Sequence, residues 1–304
     1  RPRTVASYRK AVAQFLQWLE SKCCWPDSAI EIDLAAAAYV VEVRLSKSQA
    51  ISLVAAIEFA LPPIKGRLHW LRAVSAASAA THRIRHTVPL AWTQALLVAA
   101  ELASVGDAVL GVGLLVQQRT GLRPSELLNL KGTDVVFDDE AASLTVPGSA
   151  LLCLGRGRGT KVQREQFVIL LDTSVSCFLR RRRASVQAED RLFPYSYQAY
   201  RVKLEAACRR RKWATTYTPH SPRAGFCSDL AAAGVSPEVI RDRGRWARES
   251  SFKAYRDVVT AAAVSKANQQ EVVLAAEICR LAPLYFGDLT CRLQHDARAE
   301  GATE

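Results

Sequence analysis

Two short polar motifs stand far apart in this chain, and any fold that uses them together must bring them to one place. The first is TGLRPSELLNL, Thr120 to Leu130, which holds Arg123 and Glu126. The second runs from Thr218 to Tyr255 and reads TPHSPRAGFCSDLAAAGVSPEVIRDRGRWARESSFKAY. It holds His220 and Arg223, then Trp246 23 positions on, then Tyr255 nine positions after that. Arg123 and His220 are 97 positions apart. Local rules place the first residues of each motif. Pro124 is a favoured first helical residue, so Arg123 is expected at a helix N-terminus, where free N–H groups and the helix dipole favour an anion. Glu126 is spaced to reach back to that first turn or to brace an arginine. His220 and Arg223 are expected to share a face at a second helix start, where Pro222 removes no intrahelical bond.

The residue types suit one reaction, attack of a tyrosine hydroxyl on a phosphodiester. Such a centre gains negative charge on its non-bridging oxygens as it becomes pentacovalent. Guanidinium groups stay charged and grip two oxygens at once. Preorganised donors of this kind are usually the largest catalytic effect. A tyrosine nucleophile stores the broken bond in a covalent intermediate, and a general acid must protonate the departing oxygen. No single piece of the set is distinctive. The joint order and spacing are.

This order resembles the tyrosine recombinase (phage integrase) family. The resemblance implies site-specific cleavage and rejoining of DNA through a 3′-phosphotyrosine, with Tyr255 as nucleophile and with Arg123, Arg223, His220 and Trp246 stabilising the phosphorane. Glu126 takes a supporting role. It also implies a mainly α fold with a small β-sheet: a helical core-binding domain that grips DNA, followed by the tyrosine-recombinase catalytic domain. In the family a lysine on a β-hairpin protonates the leaving oxygen. Lys161, within GRGRGTKVQREQ, matches one form of that hairpin. Arg156 and Arg158 stand where the commoner Gly-Lys-Gly form has its lysine, but arginine is a poor proton donor. Lys161 is therefore the expected acid, and the two arginines are expected DNA contacts. Most members carry Gly-His where this chain reads Gly244-Arg245-Trp246, and a minority carry Trp there. Trp246 is read as the functional equivalent, its indole N–H donating to phosphate while the ring packs on the tyrosine helix. The phrases HSPRAGF and GRW look closer to recombinases of mobile elements in eukaryotes than to bacterial chromosome-resolution enzymes.

Composition agrees with a polyanionic partner. The chain has 304 residues and a net charge of +12, with a pI of about 9.5. Eight cysteines show neither Cys-x-x-Cys nor a histidine at metal spacing, so free thiols and a metal-free, cofactor-free mechanism are expected. No signal peptide or membrane-spanning run is evident. The expected setting is intracellular and DNA-associated, in a nucleus or a nucleoid according to host. The absence of methionine, even at position 1, points to a piece of a longer reading frame.

Three regions are expected. Residues 1–85 carry helical patterns at Thr4–Leu19, Leu34–Arg44, Lys47–Ala60 and Ile64–Ala77 and form the core-binding domain. A small, basic linker about residues 78–88 follows. Its Arg83 and Arg85, with His82 and His86, are expected to touch phosphates. Residues 86–260 form the catalytic domain, with short β runs at Val135–Phe137, Ser143–Val146, Leu151–Leu154 and Phe167–Leu171. Arg180–Arg183 and Arg209–Lys212 read as phosphate contacts or solvated faces. Residues 261–304 form a tail with a helix about Lys266–Ala282. Val272, Val273, Ala276, Ile278 and Cys279 offer a face for a neighbouring protomer in a tetramer on paired duplex sites, or for the tail's own domain. Two rival readings stay open: a type IB topoisomerase-like enzyme, and a DNA-binding protein of recombinase descent that no longer cuts.

Overall fold

Apolar residues at helical spacing dominate the first eighty positions, and in the computed structural model they build four helices. These are α1 (Pro2–Ser21), α2 (Ala29–Glu42), α3 (Lys47–Ala60) and α4 (His69–Thr81). The described residues are 2–81, 87–141, 144, 146–155, 165–214, 217–246, 252 and 269–286. Contacts divide the chain into two units, Arg1–Arg85 and His86–Glu304.

In the first unit, Phe15, Leu19, Tyr39, Leu53, Ile57, Leu68 and Leu71 fill one core. On α1 the buried stripe uses Phe15 and Leu19, with Trp18 packed against it, while Leu16 is exposed. A long-range cap fixes α2 against α4. The buried Asp33 carboxylate accepts from Trp70 N at 2.9 Å and Leu71 N at 2.8 Å, satisfying two orphan donors of the α4 first turn.

The second unit is organised around α6. Helices α5 (Trp92–Ser104) and α6 (Ala108–Thr120) form a hairpin across a three-residue turn. Val109, Leu110, Leu114 and Leu115 lie on different faces of α6 and all are buried. A helix apolar on every side belongs in the middle of a domain. Accordingly α5, α7 (Pro124–Leu128), α8 (Thr173–Ala184), α10 (Ser221–Ala232) and the sheet all pack on α6. The sheet is antiparallel in the order β1 (Val135–Phe137), β2 (Ala150–Leu154), β3 (Gln166–Leu170), with Val135 opposite Leu152 and Leu152 opposite Val168. Leu154 pairs with Gln166, so residues 155–165 connect β2 to β3. The architecture is thus mainly helical with one small sheet among the described residues. The expected strand at Ser143–Val146 is not there in its described positions. Leu144 donates its N–H to Ala141 O in a turn, and Val146 is not in a strand.

Helices α9 (Tyr197–Arg210) and α11 (Pro237–Arg243) complete the frame around the motifs, and α12 (Gln269–Tyr285) closes it. Helix α12 lies against α5 of its own unit, burying Ala275, Ile278 and Ala282, and Phe286 follows it into the same core. Of the face read as suited to a neighbouring protomer or to the tail's own domain, Ile278 is buried here, while Val272 and Val273 are exposed. The first basic run is largely engaged inside the unit, and the second in part. Arg180 pairs with Asp138 and Asp139 and lies over the Phe137 ring. Arg182 is buried and donates to Leu192 O, and Arg183 pairs with Glu140. Arg209 and Arg210 pair with Glu205 and Glu101.

Candidate active site

Helix α6 delivers the first motif. Gly121 ends it in the left-handed conformation, φ 62°, which a side chain would strain. Leu122 then turns into the core and Arg123 emerges as N-cap of α7. Gln117, wholly buried, ties this turn to the second motif. Its Nε2 donates to Leu122 O at 3.1 Å and to Pro219 O at 2.8 Å. The Tyr200 hydroxyl donates to Gln117 Oε1 at 2.8 Å and holds the amide in place. One glutamine therefore links the residue before Arg123 to the residue before His220. Neither Gln117 nor Tyr200 has a pattern in the sequence that marks it.

Glu126 folds back on Arg123 as its spacing suggests. Arg123 Nη1 lies 2.6 Å from Glu126 Oε1, and Arg123 N donates to Glu126 Oε2 at 2.8 Å. This changes the expectation of an anion at the helix start. Helix α7 has five residues and the Arg123 N–H is taken by Glu126, so that N–H is not free for an anion. A second guanidinium shares the carboxylate: Arg245 Nη2 lies 2.7 Å from Glu126 Oε2. Burial alone would raise the Glu126 carboxyl. The Arg245 charge, the Arg123 N–H and the Arg123 charge outweigh it and hold the group below its usual range.

The second motif supplies the floor. His220 is the N-cap of α10, and Arg223 lies within its first turn. Arg223 is 1% exposed. It donates Nη1 to Gly121 O, beside Arg123, and Nη2 to Gly244 O at 2.5 Å, beside Arg245 and Trp246. Its guanidinium carbon sits 4.1 Å from the centre of the Trp246 ring, a cation–π contact. Arg223 thereby brings together loops that are remote in sequence. The two arginines are not an equal pair, because Arg123 keeps 28% of its side chain exposed while Arg223 is buried. The indole is buried too. Its ring faces Arg223 on one hand and Phe252 on the other, with centroids 5.5 Å apart, so the ring as well as any donor has a task.

Burial depresses the His220 imidazole, and the Arg223 and Arg123 charges depress it further, which favours the neutral ring at pH 7. Tyr197, at the start of α9, lies 6.4 Å from that ring by centroids. Lys161, Tyr255, Arg83, Arg85, Arg156 and Arg158 lie outside the described residues. Phe252, three positions before Tyr255, is packed on Trp246. Among the described residues no cluster of three or more His, Cys, Asp or Glu is placed to hold a metal, and no helix is long and apolar enough to cross a membrane.

Comparison with known proteins places the fold. The sequence profile of the phage integrase family matches residues 93–261. No curated protein matches the chain. Among the solved structures similar in fold are three recombinases or integrases. XerH site-specific recombinase bound to its palindromic difH substrate superposes with TM-score 0.57 at 13% identity, covering 90% of this chain and 79% of that one. The Tn1549 transposon integrase with circular intermediate DNA gives 0.56 at 16%, covering 83% and 94%. A lambda integrase dimer bound to a core site gives 0.54 at 16%, covering 84% and 70%.

Proposed function

The chain belongs to the phage integrase family, and from that premise we propose that it cuts and rejoins duplex DNA at specific sites through a 3′-phosphotyrosine at Tyr255. The observation that supports this best is the set of Arg223 bonds to Gly121 O and Gly244 O, which gathers Arg123, His220, Arg223 and Trp246 around one spot.

In this reading the Tyr255 oxygen attacks phosphorus, the P–O bond to tyrosine forms and the P–O bond to the 5′ carbon's oxygen breaks. Arg123 meets the phosphate at the surface. Arg223 adds its charge from the floor, where few waters screen it. Neutral His220 is suited to accept a hydrogen bond or proton, and Lys161 donates the proton that the 5′ oxygen needs. Rejoining runs the same steps backwards. No step calls for a metal or a nucleotide. The basic segments at 82–86 and 156–161 supply further backbone contacts, and paired sites bring protomers together as a tetramer.

The target sequence enters the test as a variable. A library of randomised, nicked duplexes is incubated with protein in excess EDTA and resolved on a denaturing gel. The reading predicts a covalent adduct through a 3′ phosphate, and sequencing the trapped DNA gives the site. Duplex binding without any adduct would instead support the silent, DNA-binding alternative.

A further inference from the structure

Arg245 is the residue of this site that neither the motif nor the reaction calls for. It is a non-glycine residue with φ 59°, a backbone state that costs energy for any side chain with a Cβ. Its side chain is 7% exposed. Its Nε and Nη1 are buried without a hydrogen-bond partner among the described residues. Among the described residues its ion pair is with Glu126. A fold rarely keeps a buried, half-satisfied guanidinium in a strained turn for stability alone, since an apolar residue would serve better.

Glu126 explains what such a residue would do. Its two oxygens hold the Arg123 N–H and Nη1 and so set the direction of Arg123. A carboxylate in that place also cancels the charge that Arg123 is there to offer. With Arg245 attached, the two guanidinium groups and one carboxylate leave one net positive charge. Arg123 and Arg245 are the charged groups that face Glu126.

We propose that Arg245 is a positioning residue for the strand-cleavage step: it pins the Glu126 carboxylate against Arg123 and restores the positive charge that Glu126 removes. This rests on the functional reading above, in which Arg123 meets the scissile phosphate. Arg245 acts through Glu126 and Arg123, without touching the reacting atoms.

The charge count makes the test sharp. Arg245→Gln leaves the trio neutral, whereas the double variant Arg245→Gln with Glu126→Gln returns it to one positive charge. Single-turnover adduct formation should fall about 10- to 100-fold in Arg245→Gln, the scale of misplacing a catalytic group. It should recover in part in the double variant, whose amide keeps one acceptor oxygen for Arg123, and in part in Arg245→Lys. Duplex affinity should change little in all three. A 13C titration of the Glu126 carboxyl gives a readout independent of cleavage. It should move up in Arg245→Gln and back towards the wild-type value in Arg245→Lys. A purely structural Arg245 predicts a double variant slower than the single one, and that result, or an unmoved Glu126 titration, overturns the proposal. If Arg245→Gln does not fold, Arg245→Lys and the double variant carry the same comparison. A wild-type protein that forms no adduct removes the functional reading, and the Glu126 titration then decides the pairing by itself.

Discussion

The Arg223 guanidinium is held from three sides, by two carbonyl oxygens and an indole face, and this makes its neighbours intolerant of small changes. Gly244 shows it best. A Cβ there would overlap Cζ3 of Trp246, so the ring could not remain under Arg223. Gly244→Ala should therefore lower stability by about 1–3 kcal/mol, as overpacking does. Adduct formation should fall further than stability does. Thermal unfolding and single-turnover cleavage measured together check this, and an unchanged variant would mean the ring is not where the site needs it. At this scale the sequence is legible where spacing is short and partial elsewhere. Glu126 could be read as a brace for Arg123 because they are three apart. Arg245 could not, because its partner lies 119 positions away and it is one of 41 lysines and arginines. Gln117 was equally hidden, since its acceptors are backbone carbonyls that any residue supplies.

Elements were legible wherever one periodicity ran long enough. Helix α3 occupies Lys47–Ala60 and β1 occupies Val135–Phe137, as their patterns suggest. Charged elements were only partly legible, because a run of arginines looks the same whether it faces phosphate, solvent or acidic neighbours. Asp138, Asp139 and Glu140 follow β1 and meet Arg180 and Arg183 across a fold that no local rule reveals. Helix α12 is the element with the most to test. Phe286 is fully buried and its ring lies 5.2 Å by centroid from Phe178 on α8. Truncating it should cost about 3–5 kcal/mol, as large aromatic-to-alanine changes in cores do. Denaturant unfolding of Phe286→Ala measures this directly. A near-neutral result would mean that α12 does not belong to this core, and would favour docking on a neighbouring protomer.

For the molecule as a whole, a net charge of +12 survives the many internal ion pairs of the second unit and remains for a partner. Duplex affinity should therefore drop by on the order of 1,000-fold between about 50 and 200 mM salt, as counterion release requires for several neutralised phosphates. A flat dependence would show that binding does not rest on the backbone. The central claim is narrower, that one tyrosine does the cutting. Tyr255→Phe removes a single oxygen, so folding and duplex binding should persist. With the trapped nicked duplex, the wild-type adduct should map by peptide analysis to Tyr255, and the variant should form none. An adduct in Tyr255→Phe, or a map to another tyrosine such as Tyr197 beside His220, would contradict the account.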